Sequence, residues 1–323
     1  MKIIDAHNHV TGTHPEFLRM MAELELKILN ICVAGEDHDW RAQREYHRRN
    51  YREHPDRFAW CTAFDIPHGK PEDYVARVIS ELEHDIADGA VACKVWKNYG
   101  MTTRTTRGHY VMVDDPVLEP IFAHLAAIEL PVIMHLADPM EAWLPLDPAM
   151  LHYNYYHQHP QYHVYGRDDI PGHDAIMAAR DRVLARHPGL RVIGAHMLSL
   201  EHDVREVAGR FEQFPNVAVD TSARLADIAW QDRDTVRDFC LRWHDRIIFG
   251  ADWGSGGPLD QLPDERRRGY TTGLRAHYEQ AMRFFTTGDT MSIHDREVRG
   301  LALPADVCHE IFVLNAQRWL PGI

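Results

Sequence analysis

The sequence predicts an α/β fold of the (β/α)8, or TIM-barrel, type. Three observations predict it. Short apolar runs recur along the 323 residues, each followed by a stretch with helical periodicity; strands alternating with helices make a parallel sheet, and eight such units can close it into a barrel. Residues able to bind a metal or move a proton fall at the ends of several runs. The segments that break the rhythm leave those same ends, on the face where barrels build their active sites.

The first expected strand, Lys2–His7, leads straight into Asn8 and His9. Side chains on a strand alternate, so His7 and His9 share a face, and two imidazoles on a rigid strand end make a bite for a divalent cation. Further strands are expected at Ile28–Val33, Phe58–Phe64, Val91–Trp96, Val132–His135, Val192–His196, Val217–Asp220 and Ile247–Ala251. The third and seventh carry the weaker patterns. Helical patterns lie between them at Glu72–Ala87, Val117–Ile128, Asp174–His187 and Val204–Phe214. Turn residues at His54-Pro55, His187-Pro188-Gly189 and Phe214-Pro215-Asn216 stop several helices before the next strand.

Loop insertions are expected at Gly100–Asp115, Leu136–Gly172 and Trp253–Thr272, after the fourth, fifth and eighth strands, and Ala305–Leu320 reads as a closing helix. The aromatic and histidine-rich run Tyr153–His163 within the second insertion reads as a lid or subunit contact. Residues 1–323 are thus expected to form one barrel domain.

Composition sets limits. The hydrophobic fraction of 45% supports a large core, and the formal charge of −13 argues against a nucleic-acid or anionic-membrane binder. Five scattered cysteines without a Cys-x-x-Cys spacing read as free thiols in a reducing compartment. With no charged-then-apolar leader and no apolar stretch of membrane-spanning length, a cytoplasmic location is expected. The expected partner is a small-molecule substrate, and the long aromatic loop favours a homo-oligomer.

His7, His9, His135, His196 and Asp252 all fall at or just past a strand end. Each alone would read as a hydrogen-bonded structural residue. Five of the right type at equivalent places in one barrel read as a metal site. Lys94 lies on the fourth strand; Lys97 and Arg224 lie just past the fourth and seventh. A rim guanidinium can grip a carboxylate through parallel hydrogen bonds. Arg104 and Arg107 are weaker candidates in a polar loop, and Asp138 can orient a ligand or start a turn.

The arrangement resembles the amidohydrolase superfamily, and within it the amidohydrolase-related (amidohydrolase 2) branch, which includes aminocarboxymuconate-semialdehyde decarboxylase and dicarboxylate lactonases. The resemblance covers nearly the whole chain. It rests on Ile-Asp-Ala-His-Asn-His at residues 4–9, on His135 and His196, on Phe249-Gly250-Ala251-Asp252-Trp253, and on Asn315-Ala316-Gln317-Arg318 in the closing helix.

It implies one divalent metal, usually zinc, held by His7, His9, His135 and Asp252, with Asp252 and His196 catalytic. Manganese or iron also suits such ligands. In two-metal relatives a lysine on the fourth strand is carboxylated and bridges two ions, so Lys94 is a candidate bridging carbamate; it is otherwise a substrate-binding cation or a lysine paired with a buried carboxylate. The implied activity is hydrolysis of a small, carboxylated amide, ester or lactone by a metal-activated water, Asp252 taking a proton and His196 acting as acid/base or electrostatic stabiliser. Non-oxidative decarboxylation on the same site and metal-independent lactone hydrolysis are the alternatives; the intact ligand set speaks against a catalytically silent binding protein.

Overall fold

A computed structural model describes residues 2–36, 38–67 and 73–323. Eight parallel strands alternate with helices: β1 (Ile3–His9), β2 (Leu26–Ile31), β3 (Phe58–Ala63), β4 (Ala90–Val95), β5 (Val132–Met134), β6 (Val192–Gly194), β7 (Val217–Asp220) and β8 (Ile247–Ile248). Each pairs with the next. Both faces of such a sheet are covered, which is why the strands are nearly continuous apolar runs rather than alternating ones.

Closure depends on a break in the eighth unit. β8 pairs with β7, the chain then bends through residues 249–252, and a further strand, β9 (Trp253–Gly254), pairs with β1 at Asn8 and His9. The expected strand Ile247–Ala251 therefore stops early. Its remaining amides bond elsewhere: Phe249 N to the Ile311 carbonyl, Ala251 N to the Asp5 carboxylate and Asp252 N to the His7 carbonyl. Ala6 N completes the seam on the Phe249 carbonyl.

The helices pack outside, several fixed by side-chain caps. Asp39 accepts from Ala42 N at the start of Trp40–Glu53, and Asp232 from Thr235 N at the start of Arg233–Arg242. Helices Tyr74–Ala87, Glu119–Ala127, His173–Arg186 and Val204–Gln213 match the four expected ones within about two residues; Glu72, the expected start of the first, lies outside the described residues.

The Gly100–Asp115 insertion holds turns and an isolated bridge between Arg104 and Tyr110, and Leu136–Gly172 holds only short helices. Of the third, residues 264–272 instead open the long helix Asp264–Thr286. The closing helix forms, with a π-helical turn at Glu310–Leu314 between Ala305–His309 and Asn315–Trp319. The sequence reading had no counterpart for the hairpin of β10 (Thr290–Ile293) and β11 (Arg296–Arg299). Its turn residues His294 and Asp295 both have positive φ, as a type I′ turn requires, but lack the glycine that marks such turns in sequence. All five cysteines are buried and free, and among the described residues no helix is long and apolar enough to cross a membrane.

Candidate active site and metal centre

The site is built on the carboxyl ends of the strands. A bulge in β1 between Asp5 and Asn8 leaves His7 and His9 on the same side, their rings 5.4 Å apart. The buried Asp5 carboxylate accepts from the amides of His7 and Ala251, from Asn8 Nδ2 and from the Tyr278 hydroxyl. It ties the bulge to the eighth unit and to the long helix. Burial outweighs these donors and raises its pKa to about 6.

Hydrogen bonding fixes which nitrogen of each histidine faces the centre. His7 Nδ1 lies 2.7 Å from Asp220 Oδ2. Burial pushes the Asp220 carboxyl up, but His7, His196 and Ser222 outweigh it and hold it below the usual carboxylate range. An ionised carboxylate only accepts, so His7 donates from Nδ1 and presents the Nε2 lone pair. His9 Nδ1 likewise donates to the Ile31 carbonyl at 2.9 Å. Both Nε2 atoms face Asp252 Oδ1, at 3.8 Å from His7 and 3.1 Å from His9. His7, His9 and Asp252 thus offer three ligand atoms within 4.8 Å of one another. Two oriented imidazoles, each braced through its other nitrogen, and a carboxylate are a donor set that fits a divalent cation.

His135 stands outside that trio. Its Nδ1 lies 3.2 Å from His196 Nε2. His196 Nδ1 donates to the Ser222 carbonyl at 2.8 Å, so its Nε2 accepts and His135 Nδ1 donates. His135 Nε2 then carries a buried lone pair with no protein partner, in the cavity that His7, His9 and Asp252 also line. Burial, with neighbouring cationic groups, keeps both rings neutral: His135 falls well below its ordinary value and His196 to about 3. In this arrangement His196 presents no hydrogen at Nε2, whose lone pair is held by His135, so it does not act as an oxyanion donor as it stands.

Asp252 and His196 hold backbone conformations that side chains normally avoid. Asp252 has φ 59°, and His196, Met197, Leu198 and Ser199 form a left-handed turn with φ between 54° and 66°. Such residues cost about 1–2 kcal/mol each. The turn ends β6 at Gly194, short of the expected His196. It is held by Asp220 Oδ1 on His196 N and by a very close approach, since a Cβ on Gly194 would lie 1.9 Å from Leu198 Cδ1. Asp252 is likewise fixed through its amide by His7 O, at 2.7 Å. Burial pushes its carboxyl up, but the facing imidazoles outweigh this and hold it well below the ordinary value.

Lys94 is 3% exposed and donates to His7 Nε2 at 3.2 Å. Burial lowers its pKa; Asp220 and Asp252 oppose the shift. Lys97 pairs with Asp138 at 2.5 Å and lines the adjoining cavity of about 330 Å³. So does Arg224, 9% exposed, whose Nε has no hydrogen-bond partner and stands 4.0 Å from Glu201 Oε2. His152, bonded to Asp227, and His294 at the hairpin tip line the same cavity. Arg104 is instead taken up by Asp169 and Tyr110, and Arg107 is exposed.

The sequence reading missed Asp5, Ser222, His294 and the bracing role of Asp220. Asp220 ends an expected strand, as the other candidates do, and that criterion alone would have found it.

A family model described as Amidohydrolase matches residues 4–322. No curated protein matches the chain. Among solved structures, the chain resembles an uncharacterized TIM-barrel protein from Bordetella bronchiseptica at 14% identity and TM-score 0.56, over 100% of this chain and 99% of that one. It resembles an amidohydrolase from Burkholderia multivorans at 12% identity and TM-score 0.56, over 99% of each chain. A probable 2-pyrone-4,6-dicarboxylic acid hydrolase from Acinetobacter baumannii aligns at 11% identity and TM-score 0.53, over 99% of each chain. At these identities the likeness is one of fold.

Proposed function

Because the chain belongs to the amidohydrolase family, we propose that it is a metal-dependent hydrolase of a small carboxylated amide, ester or lactone. The observation that carries the metal reading is the 3.1 Å approach of His9 Nε2 to Asp252 Oδ1. With His9 Nδ1 donating to the Ile31 carbonyl, Nε2 is the ring nitrogen left to share a cation with Asp252 Oδ1. His7, His9 and Asp252 would hold the ion, with His135 Nε2 as the fourth donor; zinc fits this set, and manganese or iron also suits it. When bound, the ion supplies Lewis acidity at a substrate oxygen and makes a nearby water more acidic.

The protein's own groups do the rest. Asp252, ionised and 27% exposed in its side chain, takes the proton of the attacking water. His196 Nε2, 4.0 Å from Asp252 Oδ2, passes that proton on to the leaving group once its bond from His135 opens. Asp220 holds His7 in the required tautomer. Arg224, whose guanidinium lines that cavity, binds the substrate carboxylate, and Lys97 adds positive charge to the same cavity.

The test is metal content per chain by elemental mass spectrometry on tag-free protein purified without chelator, followed by chelation and re-addition during turnover of dicarboxylic acid esters, amides and lactones. About one ion per chain, with activity lost on chelation and restored by metal, supports the reading. About two ions assign Lys94 as a carboxylated bridge. Full activity without metal refutes the metal mechanism and favours the metal-independent lactonase.

A further inference from the structure

The metal centre lies midway along a trench. On one side is the cavity with Lys97, His152 and Arg224. In the middle a smaller cavity of about 180 Å³ holds His7, His9 and Lys94. On the far side a third, of about 460 Å³, is lined by Val33, Tyr46, His47, Trp96 and the glycine-rich residues 254–257. Walls are shared along its length: His135, His196 and Asp252 border the first two cavities, His9 and Trp96 the last two.

The two ends differ in chemistry. Lys97 and Arg224 line the first, whereas no lysine or arginine lines the third among the described residues. Asp39 borders the third at its exposed edge, with one oxygen capping the helix through the Ala42 amide. Trp96 is firmly seated: its ring packs 4.6 Å from that of His38, and a Cβ on Gly35 would lie 2.5 Å from it. His47 is 1% exposed, with Nδ1 3.5 Å from Cys32 Sγ and Nε2 without a protein partner. A buried polar atom left unpaired costs free energy unless something outside the protein satisfies it. Burial holds His47 at about 3, so this is an uncharged hydrogen-bonding group.

We propose that the third cavity is a subsite for a neutral, planar portion of the substrate, packed against Trp96 and hydrogen-bonded to His47, with the anionic end at Arg224 and the scissile bond between. The placing of the scissile bond rests on the function proposed above. The Trp96 ring and the unpartnered His47 Nε2 favour an aromatic or similarly planar group. An anionic one would lose its hydration there without a lysine or arginine to meet it. The substrate is therefore bipartite, and cleavage yields one anionic and one neutral product.

Ligand-observed NMR titrations of the full-length protein with p-cresol and with succinate test this. Both are expected to bind, and to bind together. Trp96→Leu weakens p-cresol at least about five-fold and leaves succinate within about two-fold; Arg224→Lys does the reverse. Displacement of p-cresol by succinate, absence of p-cresol binding, or binding unchanged in Trp96→Leu overturns the proposal. The competition arm needs no variant, and His47→Gln, expected to weaken p-cresol alone, serves if Trp96→Leu fails to fold. None of these measurements needs turnover or metal, so failure of the metal-hydrolase reading is seen separately.

Discussion

His7 donates Nδ1–H to the buried Asp220 carboxylate across 2.7 Å, and that bond decides which nitrogen faces the candidate metal centre. Asp220 also accepts from the amides of His196 and Ser222, so one carboxylate braces the first, sixth and seventh strand ends together.

Asp220→Asn keeps the shape but replaces an acceptor-only group with one that also donates, which allows the other His7 tautomer. Metal affinity is expected to fall about 10–100-fold. Competition with a chromophoric chelator measures it, and unchanged affinity would remove Asp220 from this role.

Asp252→Asn removes the proton acceptor and one charge from the donor set. Asparagine tolerates the φ of 59° found here, so the fold should survive. Turnover is expected to drop by about 10²–10⁴-fold, with circular dichroism unchanged. Full activity in the folded variant would sink the assignment of Asp252 as the base.

Gly194→Ala places a methyl group against Leu198, where Cδ1 would be 1.9 Å and Cα 3.0 Å away. The left-handed turn that carries His196 must move. A loss of about 1–3 kcal/mol is expected in urea denaturation, together with reduced activity. An equally stable and active variant would show that the turn is not held by this contact.

Acid sensitivity should pass partly through His173. Its Nε2 donates to the Ser199 carbonyl at 2.9 Å, and burial lowers its pKa from 6.5 to about 4. Between those values the unfolded chain binds more protons than the folded one. Stability is therefore full above about pH 6.5 and is lost as the pH falls towards 4, by about 2–3 kcal/mol from this group. His173→Gln retains a donor without the titration, so its stability should fall less over that range; parallel profiles for the two proteins would rule the contribution out.

The arithmetic of strand and helix placed His7, His9, His135, His196 and Asp252 near the ends of strands, because a strand's period and its end are local properties of the chain. The barrel and its functional rim could be read from that pattern. The bracing of the rim could not. Asp220 meets His7 across 213 residues and Tyr278 meets Asp5 across 273, and no local pattern records such a meeting. The split of the eighth strand was also hidden, since its amides pair with a π-helical turn and a side chain from elsewhere in the fold. The left-handed turn at His196–Ser199 and the hairpin at His294 lack the glycines that would announce positive φ. Residues with a Cβ accept that conformation only where packing leaves no cheaper one. The sequence by itself determined which groups come to the barrel mouth; the tertiary structure decided which atom of each faces the centre, because tautomer, rotamer and backbone strain are set by partners far away along the chain.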